Sequence, residues 1–195
     1  MPAPAAGTFV YSVGVIHVDR VNLTTTVEFR FGGVQTTTSN LIESSRLSFT
    51  DLSAAFVTAL GADGTAFVAA IDTVIDDFAI DVAASIPQLS GVPWYGVGGT
   101  LLPAGTYCWD IAILHFDRVN SVVCTELRFG VVQITTLAFI ETHRFQYPMT
   151  YAAFIAAFGA AGTTFDSALT TILADVPTDI VPLVPQLAGI TYYGS

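Results

Sequence analysis

This chain of 195 residues contains no lysine. All six of its basic residues are arginine, set against sixteen carboxylates, and the net charge is −10. Without lysine, Schiff-base chemistry and a phosphate-cradling P-loop are excluded, because each needs that side chain. Six separated arginines are also too few to neutralise a phosphate backbone, so nucleic acid is not an expected partner. An anionic membrane surface is disfavoured for the same reason. Charge of either sign is scarce: 11% of residues are charged and 52% are hydrophobic, where soluble domains carry about a quarter charged. Such a surface is either poor in charge or covered by neighbouring subunits, since extended apolar patches mark interaction sites.

Cysteine is nearly absent. Cys108 and Cys124 are too few for a disulfide framework and are expected as buried free thiols. Two cysteines without a matched histidine pair do not make a metal site, and no metal or cofactor is expected. The opening MPAPAAGTF lacks the basic segment and apolar core of a signal peptide, so the expected location is the cytosol or a particle assembled there. The longest uncharged run, 145–165, is long enough to span a bilayer. It contains Pro148, Gly159 and Gly162 and reads as core or interface, so no membrane span is expected.

What is present is a duplication. HVDRVN at 17–22 returns as HFDRVN at 115–120, and the match runs without a gap from Thr8/Thr106 to Gly96/Gly194. EFRFGGVQTTT (28–38) lies over ELRFGVVQITT (126–136), and PQLSGVPWYG (87–96) over PQLAGITYYG (185–194). The unit is too long for a solenoid repeat and occurs only twice. The organisation read from this is a first repeat at 1–96, a glycine- and proline-bearing linker at 97–105 and a second repeat at 106–195. The expected arrangement is a pseudo-twofold pair that imitates a homodimer within one chain.

Within each repeat, strand patterns precede helical ones. The run 8–18 is rich in β-branched and aromatic residues and suits a buried strand. DRVN follows as a turn. In 25–31, Val27, Phe29 and Phe31 alternate with Glu28 and Arg30. GVQTTT is expected to continue the sheet beyond a glycine-marked bulge, and 46–49 to add a short strand. Thr50 or Asp51 is expected to cap a short helix that stops at Gly61. A second helix carries the stripe Phe67, Ile71, Val74, Ile75, Phe78 and Val82, repeated as Phe165, Leu169, Ile172, Leu173 and Val176. Pro177 should end the later copy while the earlier one runs longer. The fold class is therefore α+β: two tandem antiparallel sheets, each with helices on one face.

The two copies can be read against each other for candidate sites. Charged residues common to both include Asp19/Asp117, Arg20/Arg118, Glu28/Glu126, Arg30/Arg128, Glu43/Glu141 and Arg46/Arg144, with His17/His115 beside them, and on the helix Asp77/Asp175 and Asp81/Asp179. A histidine near carboxylates and arginines could act as a general base beside an anion-stabilising group. Yet no third group completes a triad, and no phosphate loop follows a strand. The set reads as structural: Asp19 shaping the turn, arginines pairing with carboxylates, Glu43 and Arg46 forming a local pair or bridging the copies. Asp72, Asp76, Asp77 and Asp81 form a solvated helix face without calcium-loop spacing. Trp94, Tyr95, Tyr192 and Tyr193 are candidate interface anchors.

The expected function is a non-enzymatic, self-assembling structural protein whose partner is itself or other structural proteins. It would be a repeated component of a shell, tube or sheet, above all a bacteriophage capsid, decoration or tail protein. The alternative is a small-molecule-binding protein or enzyme with its site at the seam between repeats, lined by His17, His115 and the paired arginines.

Overall fold

The computed structural model describes residues 4–96 and 102–194. Three antiparallel strands open each repeat: β1 (Phe9–Asp19), β2 (Thr24–Val34) and β3 (Leu41–Leu52), then β4 (Tyr107–Asp117), β5 (Val122–Val132) and β6 (Phe139–Thr150). Helix α1 (Ser53–Asp77) follows β3, while α2 (Tyr151–Ala157) and α3 (Gly159–Asp175) follow β6. Each helical segment ends in wide and tight helical turns, and β7 (Thr191–Tyr192) closes the chain. The strands form one sheet in the order β3-β2-β1-β4-β5-β6, with β7 parallel to β1. The chain is thus α+β, with both repeated segments in a single sheet.

The join is β1 against β4, antiparallel from Val15↔Asp117 to Asp19↔Ile113, with His17 opposite His115. Flanked on both sides, β1 is buried along most of its length, which is why its sequence is apolar on both faces. In β2 the alternation is visible directly: Val27, Phe29 and Phe31 are buried, and Glu28 and Arg30 are half-buried. The buried set meets Phe56, Phe67, Ile71, Ile75, Phe154 and Phe165 from the helices in one continuous core drawn from both repeats. Aromatic rings form much of it, with Phe116–Phe165 and Phe154–Phe158 both at 4.8 Å and Phe67–Phe165 at 5.9 Å. Each such ring is worth about 1.5–3 kcal/mol over leaving it exposed.

Two glycine pairs explain local shape. At Gly32 the register with β3 shifts, and a Cβ there would lie 1.8 Å from the Ile42 carbonyl oxygen. At Gly130 it would lie 2.0 Å from that of Ile140, so only glycine lets the backbones approach at this bulge. Gly61 interrupts α1 with φ 58° and ψ −126°. Gly159, with φ 51°, separates α2 from α3 at the matching place.

Four expectations need correction. The segment GVQTTT extends the sheet past the bulge at Gly32 only through Gly33 and Val34; β2 ends there, and 36–38 form a turn. The short strand foreseen at 46–49 is the middle of a twelve-residue one. Thr50 and Asp51 lie in β3; α1 begins after Leu52 without a side-chain cap, whereas Thr150 caps α2 by accepting from the Ala153 N–H. The earlier helix does not run longer: α1 ends at Asp77 and α3 at Asp175, the same point in each repeat. Proline is not what sets that end. A wide turn, Phe78–Val82, follows α1 just as Val176–Ile180 follows α3, and Phe78, Val82 and Ile86 are buried.

Part of the foreseen linker, 97–101, lies outside the described residues. Beyond it, Gly105 donates its N–H to the Val132 carbonyl at 2.8 Å. The uncharged run 145–165 spans the end of β6, α2 and the start of α3 rather than one helix. By length and composition alone, 53–85 is apolar enough to cross a membrane, with mean hydropathy 1.6 and 33% of that window buried against the rest of the chain.

Candidate functional site

The polar residues singled out by the repeat fall into four groups. The first lies at the centre of the sheet. His17 and His115 face each other across the β1–β4 join with Nδ1···Nδ1 at 3.4 Å. One ring must donate and the other accept, so the pair tolerates one proton between these nitrogens but not two. Burial, and then His115, hold the His17 imidazole below its ordinary pKa of 6.5. Since the unfolded chain protonates first, this histidine contributes stability that is complete above pH 6.5 and is lost as pH falls below it. Urea midpoints measured downward from pH 7 should therefore fall, and His17→Asn should flatten that fall; an unchanged slope would remove the histidine from the account. Asp19 acts at lower pH. Burial raises its pKa, but hydrogen bonds from the backbone and side chain of Asn22 and the backbone of Val21 outweigh this and hold it below the usual 3.8.

The second group crosses between repeats. Bulges at Gly14 and Ala112 interrupt the ladders of β1 with β2 and of β4 with β5. The Arg20 N–H donates to Ala112 O and the Arg118 N–H to Gly14 O, both at 2.9 Å. Arg20 Nη1 also reaches Ile111 O at 3.2 Å, and Arg118 Nη1 reaches Val13 O at 3.3 Å. Asp110 receives Arg128 Nη2 at 2.7 Å and lies 3.6 Å from Arg20 Nη1. It is buried, and it also accepts the Ile111 N–H. Arg128 further stacks its guanidinium 4.5 Å from the Phe139 ring centre. The matching position in the first repeat is Ser12. Its Oγ and the Arg30 Nε are both buried without a hydrogen-bond partner. Arg30 and Arg128 are therefore not equivalent, although the sequence pairs them.

The third group is on the outer strands. Arg46 holds Glu43 and Glu28, and Arg144 holds Glu141 and Glu126. Both pairs are local to one repeat and do not bridge the copies. Their arginines are pushed up in pKa by those carboxylates. These exposed pairs contribute about 0–1 kcal/mol each. Asp117 shapes its turn through Asn120 as Asp19 does through Asn22.

The fourth group is the aromatic tails, which change partners. The first repeat's tail lies on β4: Trp94 bridges to Trp109 and stacks on it at 6.1 Å, and the Tyr95 N–H donates to Trp109 O. The second repeat's tail lies on β1: Tyr192 pairs with Tyr11, and the Tyr193 N–H donates to Tyr11 O at 2.6 Å. Tyr95 and Tyr193 extend their hydroxyls to Leu137 O and Ser39 O. These four anchors therefore make contacts within the chain.

A cavity of about 430 Å³ opens beneath the β1–β2 hairpin of the first repeat. Its walls include Phe56, Phe67, Ile71 and Ile75, with Ser53, Arg20 and Asp72 also facing it. Neither His17 nor His115 lines it. The matching cavity of the second repeat holds about 210 Å³ and is lined by Tyr151 and Asp166, which occupy the positions of Ser53 and Val68. Asp110, Ser53 and Tyr151 differ from their counterparts Ser12, Tyr151 and Ser53, so likeness between the copies does not mark them. Asp110 was nonetheless signalled as the one charge inside the apolar run YCWDIAIL.

Among the described residues no group of three or more His, Cys, Asp or Glu could hold a metal ion. Cys108 and Cys124 are free, and burial raises both thiols. No protein family, curated protein or solved structure matches the chain.

Proposed function

We propose that this chain is a structural protein that assembles with copies of itself, and that its repeats form a pseudo-twofold pair acting as a fused dimer. The observation that carries the reading is the state of the sheet's edges. β3 and β6 are twelve residues long and, among the described residues, pair on one side only, β3 with β2 and β6 with β5. Both are largely exposed. Ile42 and Ile140 stand on them 55% and 49% exposed. Edge strands are normally guarded by charged side chains, lysine above all, or by proline. This chain has no lysine, the Glu43–Arg46 and Glu141–Arg144 charges are paired with each other, and Pro148 stands on β6 only. Two open edges on one body would allow strand addition at both ends, as a sheet, tube or shell requires. The pseudo-twofold pair draws support from the reciprocal Arg20 and Arg118 bonds and from the exchanged tails. A virion or a cytoplasmic assembly is the setting such a component fits.

Light scattering and negative-stain imaging of the purified protein should find particles many times the 20.6 kDa chain. Ile42→Lys with Ile140→Lys should return a monomer with an unchanged circular dichroism spectrum. A wild-type monomer at high concentration would overturn the reading.

A further inference from the structure

The two repeats differ at the cavity beneath their first hairpins. Ser53 and Tyr151 occupy matching backbone positions: each donates its N–H at 2.8 Å to the matching hairpin carbonyl, Leu23 O or Ser121 O. In the second repeat the Tyr151 ring fills the space under the hairpin, and its hydroxyl donates to Asp166 Oδ1 at 2.7 Å. In the first repeat the side chain is a serine that bonds Thr25 Oγ1 at 3.0 Å. Some 430 Å³ is left open there, against 210 Å³ beneath the tyrosine. Phe56 and Phe67 line the open cavity, whereas their counterparts Phe154 and Phe165 do not line the smaller one beneath Tyr151. Val68 replaces Asp166, and a carboxylate reappears one helical turn further on as Asp72, which lines the same cavity.

We propose that the first repeat's cavity binds a small phenol, its ring between Phe56 and Phe67 and its hydroxyl donating to the Asp72 carboxylate. The phenol would take the role that Tyr151 performs covalently in the second repeat. The cavity is apolar along Phe56, Phe67, Ile71 and Ile75, with Asp19, Asp72 and Asp76 also lining it. Asp19 is already held by Asn22 and Val21, and Asp72 is the carboxylate nearest in the helix to the position of Asp166, a composition that suits a small-molecule site. The carboxylate favours a hydrogen-bond donor over a bare hydrocarbon. The site is separate from the sheet edges, so it does not depend on self-assembly, and binding and particle formation are read by different measurements.

The test is a titration of the full chain with p-cresol, the tyrosine side chain as a free molecule, followed by methyl NMR. Saturable shifts at Ile71, Ile75 and Val68 are expected with a stoichiometry of one. Toluene, which fills the space without donating, should bind about tenfold more weakly, the loss expected when a hydrogen bond to a charged acceptor is removed. Ser53→Tyr should abolish binding, and Tyr151→Ser should raise the stoichiometry to two. Asp72→Asn, an exposed change that leaves packing intact, should weaken p-cresol but not toluene. Absence of saturable shifts, shifts confined to other residues, or equal affinity for p-cresol and toluene would each overturn the assignment.

Discussion

Asp110→Ala should destabilise the chain by about 3–5 kcal/mol, because it strands arginines that the fold has already removed from water. The Asp110 side chain is 5% exposed, and Arg128 and Arg20 are each 18% exposed. Arg128 directs both Nε and Nη2 at one carboxylate oxygen, at 3.2 and 2.7 Å. Arg20 retains Ile111 O after the substitution, whereas Arg128 loses both bonds. Arg128→Ala should cost a similar amount by leaving the carboxylate with its backbone bond and a distant Arg20. Arg30→Ala should cost only about 1 kcal/mol, the ordinary size of a substitution, since Ser12 offers that guanidinium no carboxylate. Ser12→Asp should do the reverse of Asp110→Ala, stabilising the chain by giving the buried Arg30 Nε an acceptor. Urea unfolding of the four variants measures this. Equal losses at Arg30 and Arg128 would mean that the Asp110 contact does not matter energetically.

The inequality of those arginines shows where the sequence was readable. Features imposed by local physics were legible: the alternation in β2, the Asp19–Asn22 turn, the stripe Phe67–Ile71–Val74–Ile75 and the break at Gly61. All follow from period or backbone chemistry shared by both copies. The length of β3 was not legible. The second half of that strand shows the alternation of Leu47 and Phe49 and was legible, but 42–46 is exposed throughout and shows none. The end of α1 escaped for a different reason: helix-compatible sequence continues past Asp77, and no capping or breaking residue marks where the α-helix gives way to the wide turn Phe78–Val82. The candidate site was half legible. Comparing the copies found the reciprocal Arg20 and Arg118 and the central histidines. It discarded Asp110 and Tyr151 because their partners are Ser12 and Ser53. Asymmetry between the copies is what a filter for sameness removes.

Tyr192→Ala should cost about 3–5 kcal/mol, as truncation of a buried aromatic does, and it should do so from the far end of the chain. Tyr192 is 9% exposed, its ring lies 5.3 Å from that of Tyr11, and its hydroxyl donates to Leu173 O. The strand beneath it belongs to the first repeat and the carbonyl to the second, so one side chain closes contacts across almost the whole sequence. Tyr192→Phe separates the two parts, removing only the hydrogen bond at about 1 kcal/mol. Because Trp94 makes the matching contact with Trp109 on β4, neither repeat can complete its own first strand. Unfolding should therefore be a single transition for the entire chain, with fluorescence and circular dichroism coincident. Two separable transitions, or a Tyr192→Ala variant whose loss is confined to the second repeat's helices, would show that the exchanged tails are ornament on two independent folds.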